Sequence, residues 1–324
     1  MLKKSLPLVF VLLLASLVLG CNGADDGETT DAIKLVPQRA DMLVYVDLAW
    51  ATESEDDILQ FSDMLPEDPD SQQILDAAPE ILSNLDEGIV FGDISTMNDD
   101  DPYMGIIASG NFVKSDLIDA IESASDEALT TYEVDGYTVY GAEQDGGGIV
   151  FLSSSQLAVG TTQVLEDIIA VKSGEQSAIS GAVVDTYNNL SDATMRLAVA
   201  IPPGTIADAM EGDDGLAIPL DTSAFEDLET VGLTADDKGE TIDLDIQLCF
   251  SSSASATEAE GMIASLAVMA SFVPGLPAEV GDLLASLDTN AAGTCLGIDL
   301  ETTEAQLQAL FQSLVQVDSE EFGF

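Results

Sequence analysis

From Ile242 to Phe250 the chain reads Ile-Asp-Leu-Asp-Ile-Gln-Leu-Cys-Phe, with an apolar side chain at every second position. Side chains of an extended strand point alternately to opposite faces, so this order makes one apolar face and one polar face. Leu296, Ile298 and Leu300 alternate with Cys295, Gly297, Asp299 and Glu301 in the same way. Two such strands commit the region to a sheet covered on one side. Cys249 and Cys295 fall on the polar faces. If the strands are neighbours, the thiols meet as a cross-strand disulfide, closing a loop of about 46 residues and stabilising by about 4 kcal/mol. Two independent thiols are the alternative.

The rest of the chain alternates short strands with amphipathic helices. Residues 42–48 form an almost continuous apolar run and predict a central strand. A helix over 55–65 places Ile58, Phe61 and Leu65 on one face. Another over 71–86 aligns Ile74, Ala78, Ile81, Leu82 and Leu85, with Pro79 kinking or dividing it. Strands at 88–94 and 103–112 flank an acidic turn at Asp99. Residues 114–125 predict a helix capped by Ser115, with Leu117, Ile118 and Ile121 inward. A meander follows at 130–134, 137–141, 149–152 and 157–160, turning at Asp135-Gly136 and Gly146. Thr162 then caps a helix bearing Val164, Leu165, Ile168 and Ile169.

Weak periodicity over 173–192 marks a boundary. Beyond it lie a strand at 194–201 and a hairpin pairing 228–234 with 241–250. Next come a helix opened by Ser255 and Glu258 at capping-box spacing, a short helix from Pro277, the strand at 294–301 and a helix over 303–317. This recurrence predicts an α+β fold: an antiparallel sheet with amphipathic helices mainly on one face, in two related halves at 35–190 and 191–324.

The chain opens with Met1, Lys3 and Lys4, an apolar run over 6–19, then Val18-Leu19-Gly20-Cys21. A basic start, a short apolar segment and a small residue before a cysteine make a secretion leader, too short for a comfortable membrane span. The order resembles the lipobox of bacterial lipoproteins, whose leader is cut before the cysteine and whose cysteine carries the lipids. A plain secretory leader with an incidental cysteine is the alternative. The resemblance implies a signal peptide over 1–20, lipid on Cys21, and a location at the cell membrane or outer membrane, facing outside the cytoplasm. Residues 22–31 hold no apolar side chain larger than alanine, so 21–34 predicts a flexible acidic tether, its first ten residues reaching roughly 15 to 20 Å. At about 0.8 kcal/mol per buried methylene, several acyl chains anchor a protein almost permanently. The longest later apolar run, 262–273, contains Ser265 and Ser271 and is far too short to cross a bilayer.

Charge excludes some partners. Sixty acidic residues face eight basic ones; two of the eight lie in the leader, leaving Lys34, Arg39, Lys114, Lys172, Arg196 and Lys238. Nucleic acid is excluded as a partner, because binding it takes Lys and Arg to neutralise phosphates. Anionic headgroups and acidic glycans are disfavoured for the same reason. The acid reads as a solvated coat that gathers cations weakly and suits salty water. A specific calcium site is the sharper alternative, with Asp99, Asp100 and Asp101 as candidates. Their spacing lacks the alternating acidic loop, central glycine and distal glutamate, so no metal is assigned.

The chain has no histidine, which removes Ser-His-Asp and Cys-His mechanisms and the usual zinc sites. No nucleophile elbow, phosphate-cradling loop or dinucleotide fingerprint is present, so neither a catalytic residue nor a cofactor is assigned. Paired carboxylates could still hydrolyse glycosides, although a single Trp50 and 6% aromatic residues argue against a sugar platform.

At the start of the body, Leu35-Val36-Pro37 followed by the strand at 42–48 resembles an uncharacterised envelope family known only as a domain of unknown function. A later strand, helix and meander over 103–160 is similar as well. The resemblance implies coverage of most of the mature chain and transfers no catalytic residue. Three functions remain: a non-enzymatic lipoprotein that binds or scaffolds an envelope protein, a carrier of an apolar ligand such as a lipid, and a carboxylate-based hydrolase.

Overall fold

The computed structural model describes residues 31–48, 84–97, 99, 101–125, 129–142, 147–205, 222–239, 241–270, 281, 283, 285–303 and 306. In chain order these form β1 (Met42–Asp47), β2 (Leu85–Gly92), β3 (Met104–Gly110), α1 (Lys114–Ser125), β4 (Thr131–Val134), β5 (Tyr137–Ala142), β6 (Gly147–Phe151) and β7 (Gln156–Thr161). There follow α2 (Thr162–Ser173), α3 (Ala182–Asn189), β8 (Met195–Ala200), β9 (Leu228–Asp237), β10 (Ile242–Phe250), α4 (Ser253–Ala270), β11 (Asp288–Ala292) and β12 (Cys295–Thr302). The strands make one twelve-stranded antiparallel sheet in the order β11-β12-β10-β9-β8-β1-β2-β3-β7-β6-β5-β4. By compactness the chain divides into two units, Met1–Leu197 and Ala198–Phe324.

In the first unit the strands β2, β3, β6 and β7 are buried on both faces along most of their length. Register places Gly105, Gly148 and Gly160 in one row across β3, β7 and β6. A Cβ added to Gly105 or Gly160 would lie 2.5 or 2.7 Å from Val164 Cγ1, so α2 rests on a floor that only glycine leaves open. Thr161 caps α2 by accepting from the Val164 amide at 3.4 Å, and Gly174, at φ 81°, closes it in the left-handed conformation. Val164, Leu165, Ile168 and Ile169 are all fully buried. Tyr140 and Phe151 occupy the opposite sheet face, where Lys114 of α1 lies over their rings at 4.6 and 4.8 Å. Ile106 and Leu157, on that second face, are also buried, which explains the continuous apolar runs.

In the second unit, Leu248 and Ile246 of β10 pack with buried Phe250 and with Leu296 and Ile298 of β12 against Ala256, Ala259, Met262 and Ile263 of α4. The alternating residues Asp243, Asp245, Gln247 and Cys249 take the other face.

These findings correct the expected fold class. Helices do not form a layer mainly on one face: the sheet dominates, and in the first unit α1 and α2 lie on opposite sides of it. After α1 the first unit carries the β4–β5–β6–β7 meander, and after α4 the second carries, among the described residues, the β11–β12 hairpin. Local boundaries shift too. Leu85 and Asp86, read as helix, begin β2, and α3 occupies the stretch taken as a weakly periodic boundary. Ser115 lies inside α1, its hydroxyl donating to Asp116 at 3.0 Å. Thr161 rather than Thr162 caps α2. Ser252 rather than Ser255 caps α4, accepting from the Ser255 amide at 3.2 Å. The expected helix at 55–65, most of those at 71–86, from Pro277 and at 303–317, and Trp50 lie outside the described residues.

Candidate functional site

The strongest concentration of buried charge lies in the first unit. β8 carries Arg196 in the otherwise apolar run Met-Arg-Leu-Ala-Val-Ala, and the residue is only 6% exposed. Its guanidinium stands 4.4 Å from the centre of the Tyr45 ring and 4.8 Å from that of Tyr187. A planar, weakly hydrated cation suits such a slot, and each ring's negative face attracts it. Arg196 Nη1 donates to Asp192 Oδ1 at 3.3 Å. Among the described residues Arg196 Nε makes no hydrogen bond, and the guanidinium acts on Tyr187 through the ring it faces and through its charge, which works against the burial that raises the hydroxyl.

Carboxylates frame the same cluster. Register sets Asp47 opposite Glu87 and Glu87 opposite Ser109. Burial pushes the Glu87 carboxyl up, against a hydrogen bond from Ser109; neighbouring Asp86 and Asp47 raise it further while Arg196 lowers it. The Tyr45 hydroxyl is pushed up to about 12 by burial and by the charges of Asp47 and Glu87, and burial raises Tyr187 as well. The cluster therefore sets one buried cation against the exposed carboxylate of Asp192 and the half-buried carboxyls of Glu87 and Asp47. Among the described residues it shows no nucleophile with an activating base.

A second cluster joins distant parts of the same unit. Arg39 lies 4.2 Å over the Tyr103 ring, and its Nε donates to Asp93 at 3.1 Å. Burial works against the Asp93 charge, but hydrogen bonds from Ser95 and Arg39 hold its carboxyl below the ordinary value. The Tyr103 hydroxyl donates to Asp167 of α2 at 2.8 Å, and Gln176 donates to the other oxygen of that carboxylate at 2.9 Å. Burial, then Asp167, raises the Tyr103 hydroxyl strongly. A third cluster stacks Lys114 on Tyr140 and Phe151, with Phe112 5.8 Å from Phe151 and Val113 60% exposed beside it.

Cys249 and Cys295 are register partners in β10 and β12 and are joined as a disulfide, their Cα atoms 4.0 Å apart. Cys21 lies outside the described residues, as does Asp100. Asp99 and Asp101 are exposed, and the Asp99 amide donates to Thr96 in a turn. Among the described residues no group of three or more metal-holding side chains occurs. The arginine clusters escaped the sequence reading because the chain brings Tyr45 to Arg196 and Tyr103 to Arg39 from far along the sequence. An arginine inside the apolar run of β8 was the one available signal.

No known family matches the sequence, and no curated protein does. Solved structures do. Crystal form III of TP0453, a treponemal lipoprotein, superposes with a TM-score of 0.50 at 12% identity, covering 88% of this chain and 99% of that one. Crystal form IV of TP0453 gives a TM-score of 0.50 at 10% identity, covering 87% and 97%. At such identity the likeness is one of fold. Among the described residues no helix is long and apolar enough to cross a membrane.

Proposed function

We propose that this chain is a bacterial envelope lipoprotein, tied to the outside of a membrane by lipid on Cys21, whose body binds or scaffolds an envelope protein without catalysing a reaction. One observation carries the extracytoplasmic reading: the body contains a Cys249–Cys295 disulfide, a bond that persists in oxidising compartments. It is independent of the leader and points to the same side of the membrane. The fold shared with TP0453 supports the reading, since that protein is a bacterial lipoprotein. The absence of histidine from the sequence, which removes the commonest general base near neutral pH, favours binding over catalysis. The acidic surface directs the choice of partner toward a protein with basic docking residues.

The test is a Cys21→Ser substitution with metabolic fatty-acid labelling and detergent phase partitioning. The unaltered protein takes up label and enters the detergent phase. The variant takes up none and enters the aqueous phase. Equal partitioning of both would refute the anchor.

A further inference from the structure

One face of the β10–β12 strand pair carries two opposed loads. Cys249 sits opposite Cys295, and the same register then sets Gln247 opposite Gly297, Asp245 opposite Asp299 and Asp243 opposite Glu301. The rows extend to both neighbours. Asp288 of β11 lies opposite Asp299, and Asp236 of β9 lies opposite Asp243. Three carboxylates thus cross β11, β12 and β10 in one row, and three cross β12, β10 and β9 in the next. Lys238 pairs with Asp236 at the end of the second row. Among the described residues no ion pair involves Asp245, Asp299 or Asp288. Like charges directly opposite one another weaken strand pairing, and they do so most where salt is dilute.

What holds the pair is the apolar face, where Leu296 and Ile298 pack with Leu248, Ile246 and α4, together with the disulfide. The repulsion bears on the same strands that the disulfide ties. We propose that β10 and β12 form a disulfide-latched seam: while Cys249–Cys295 is closed the β11–β12 hairpin stays on β10 at any ionic strength, and once the bond is reduced the hairpin leaves β10 in dilute salt. A dithiol opens the latch by exchange. One thiolate attacks a sulfur to give a mixed disulfide, which the second thiol displaces. Two electrons and two protons pass to the protein as two cysteine thiols, and the reductant leaves as its own disulfide. The opened hairpin bares the unpaired N–H and C=O groups of the β10 edge, a template for another strand.

Hydrogen exchange of the full chain, read by mass spectrometry with and without dithiothreitol at about 0.01 M and about 1 M salt, tests the seam. The oxidised protein protects β12 equally at both salts. On reduction, β12 amides exchange about tenfold faster in dilute salt and recover the oxidised rate in concentrated salt, while β2 and β3 keep their rates. The double substitution Asp245→Asn and Asp299→Asn restores protection to the reduced protein in dilute salt. Unchanged β12 exchange on reduction overturns the proposal. So does equal acceleration in β2 and β3, or failure of the asparagine pair to restore protection.

Discussion

The guanidinium of Arg196 faces the ring of Tyr45 at 4.4 Å, almost wholly out of contact with water. Removing it takes the cation from between two rings and leaves Asp192 and Glu87 without the positive charge that acts on them. Arg196→Met is expected to destabilise the protein by about 2 to 4 kcal/mol. Arg196→Lys keeps the charge without the planar stack and should lose about half as much. Urea denaturation of the three proteins checks the order; equal stability of all three would mean that the cation does nothing for the fold.

Tyrosine titration reads the same cluster from the alkaline side. The hydroxyl of Tyr45 is raised from 10.0 to about 12, so the folded state holds that proton more tightly than the unfolded state. The resulting stabilisation is complete below pH 10 and is lost as pH climbs toward 12. Ultraviolet titration should show a late step that Tyr45→Phe removes. The substitution should also flatten the decline in melting temperature over that range.

Val164 fixes how close α2 may come to the sheet. In Gly160→Ala the new methyl would meet Val164 Cγ1 at 2.7 Å and Cβ at 3.0 Å, costing about 1 to 3 kcal/mol. Val164→Ala alone should cost about 2 kcal/mol by leaving a void. Combined, the two should cost clearly less than their sum, and a double-mutant cycle by thermal melts would detect the coupling.

Asp245 lies opposite Asp299, and burial, then that neighbour, raises its carboxyl above 3.8. The folded state therefore binds this proton more tightly, so acidification toward 3.8 stabilises and neutral pH removes the benefit. Asp245→Asn is expected to raise stability at neutral pH in dilute salt by about 0.5 to 1 kcal/mol. The advantage should shrink as pH approaches 4 and as salt is added. Melting temperatures over that grid decide the matter, and an advantage that grows with acid would contradict it.

The alternation in Ile242 to Phe250 and Leu296 to Leu300 was legible because a half-covered strand imprints its period on the sequence. β11 was not, since Asp288, Thr289, Asn290, Ala291 and Ala292 present no apolar side at an edge where one neighbour suffices to hold a strand. Strands packed on both faces, such as β2, β3 and β7, have no period to show, which hid the placement of helices on opposite sides of the sheet. Caps shifted by one or three residues, from Thr162 to Thr161 and from Ser255 to Ser252, because several hydroxyls compete at each helix start and only geometry chooses among them. Parity put Cys249 and Cys295 on polar faces, and the adjacency of β10 and β12 was what joined them. The Arg196–Tyr45–Tyr187 stack could not be read that way, because long-range apposition leaves no local trace.

The rings of Tyr45, Tyr103 and Tyr140 hold Arg196, Arg39 and Lys114 in place, three of the chain's eight basic side chains against sixty acidic ones. So little positive charge interrupts the outward field, and two neighbouring copies meet as bodies of the same sign. Wherever copies crowd together their spacing is set by the reach of that field, about 30 Å in dilute salt and about 8 Å at physiological strength. Ionic strength would then govern how densely such molecules can assemble.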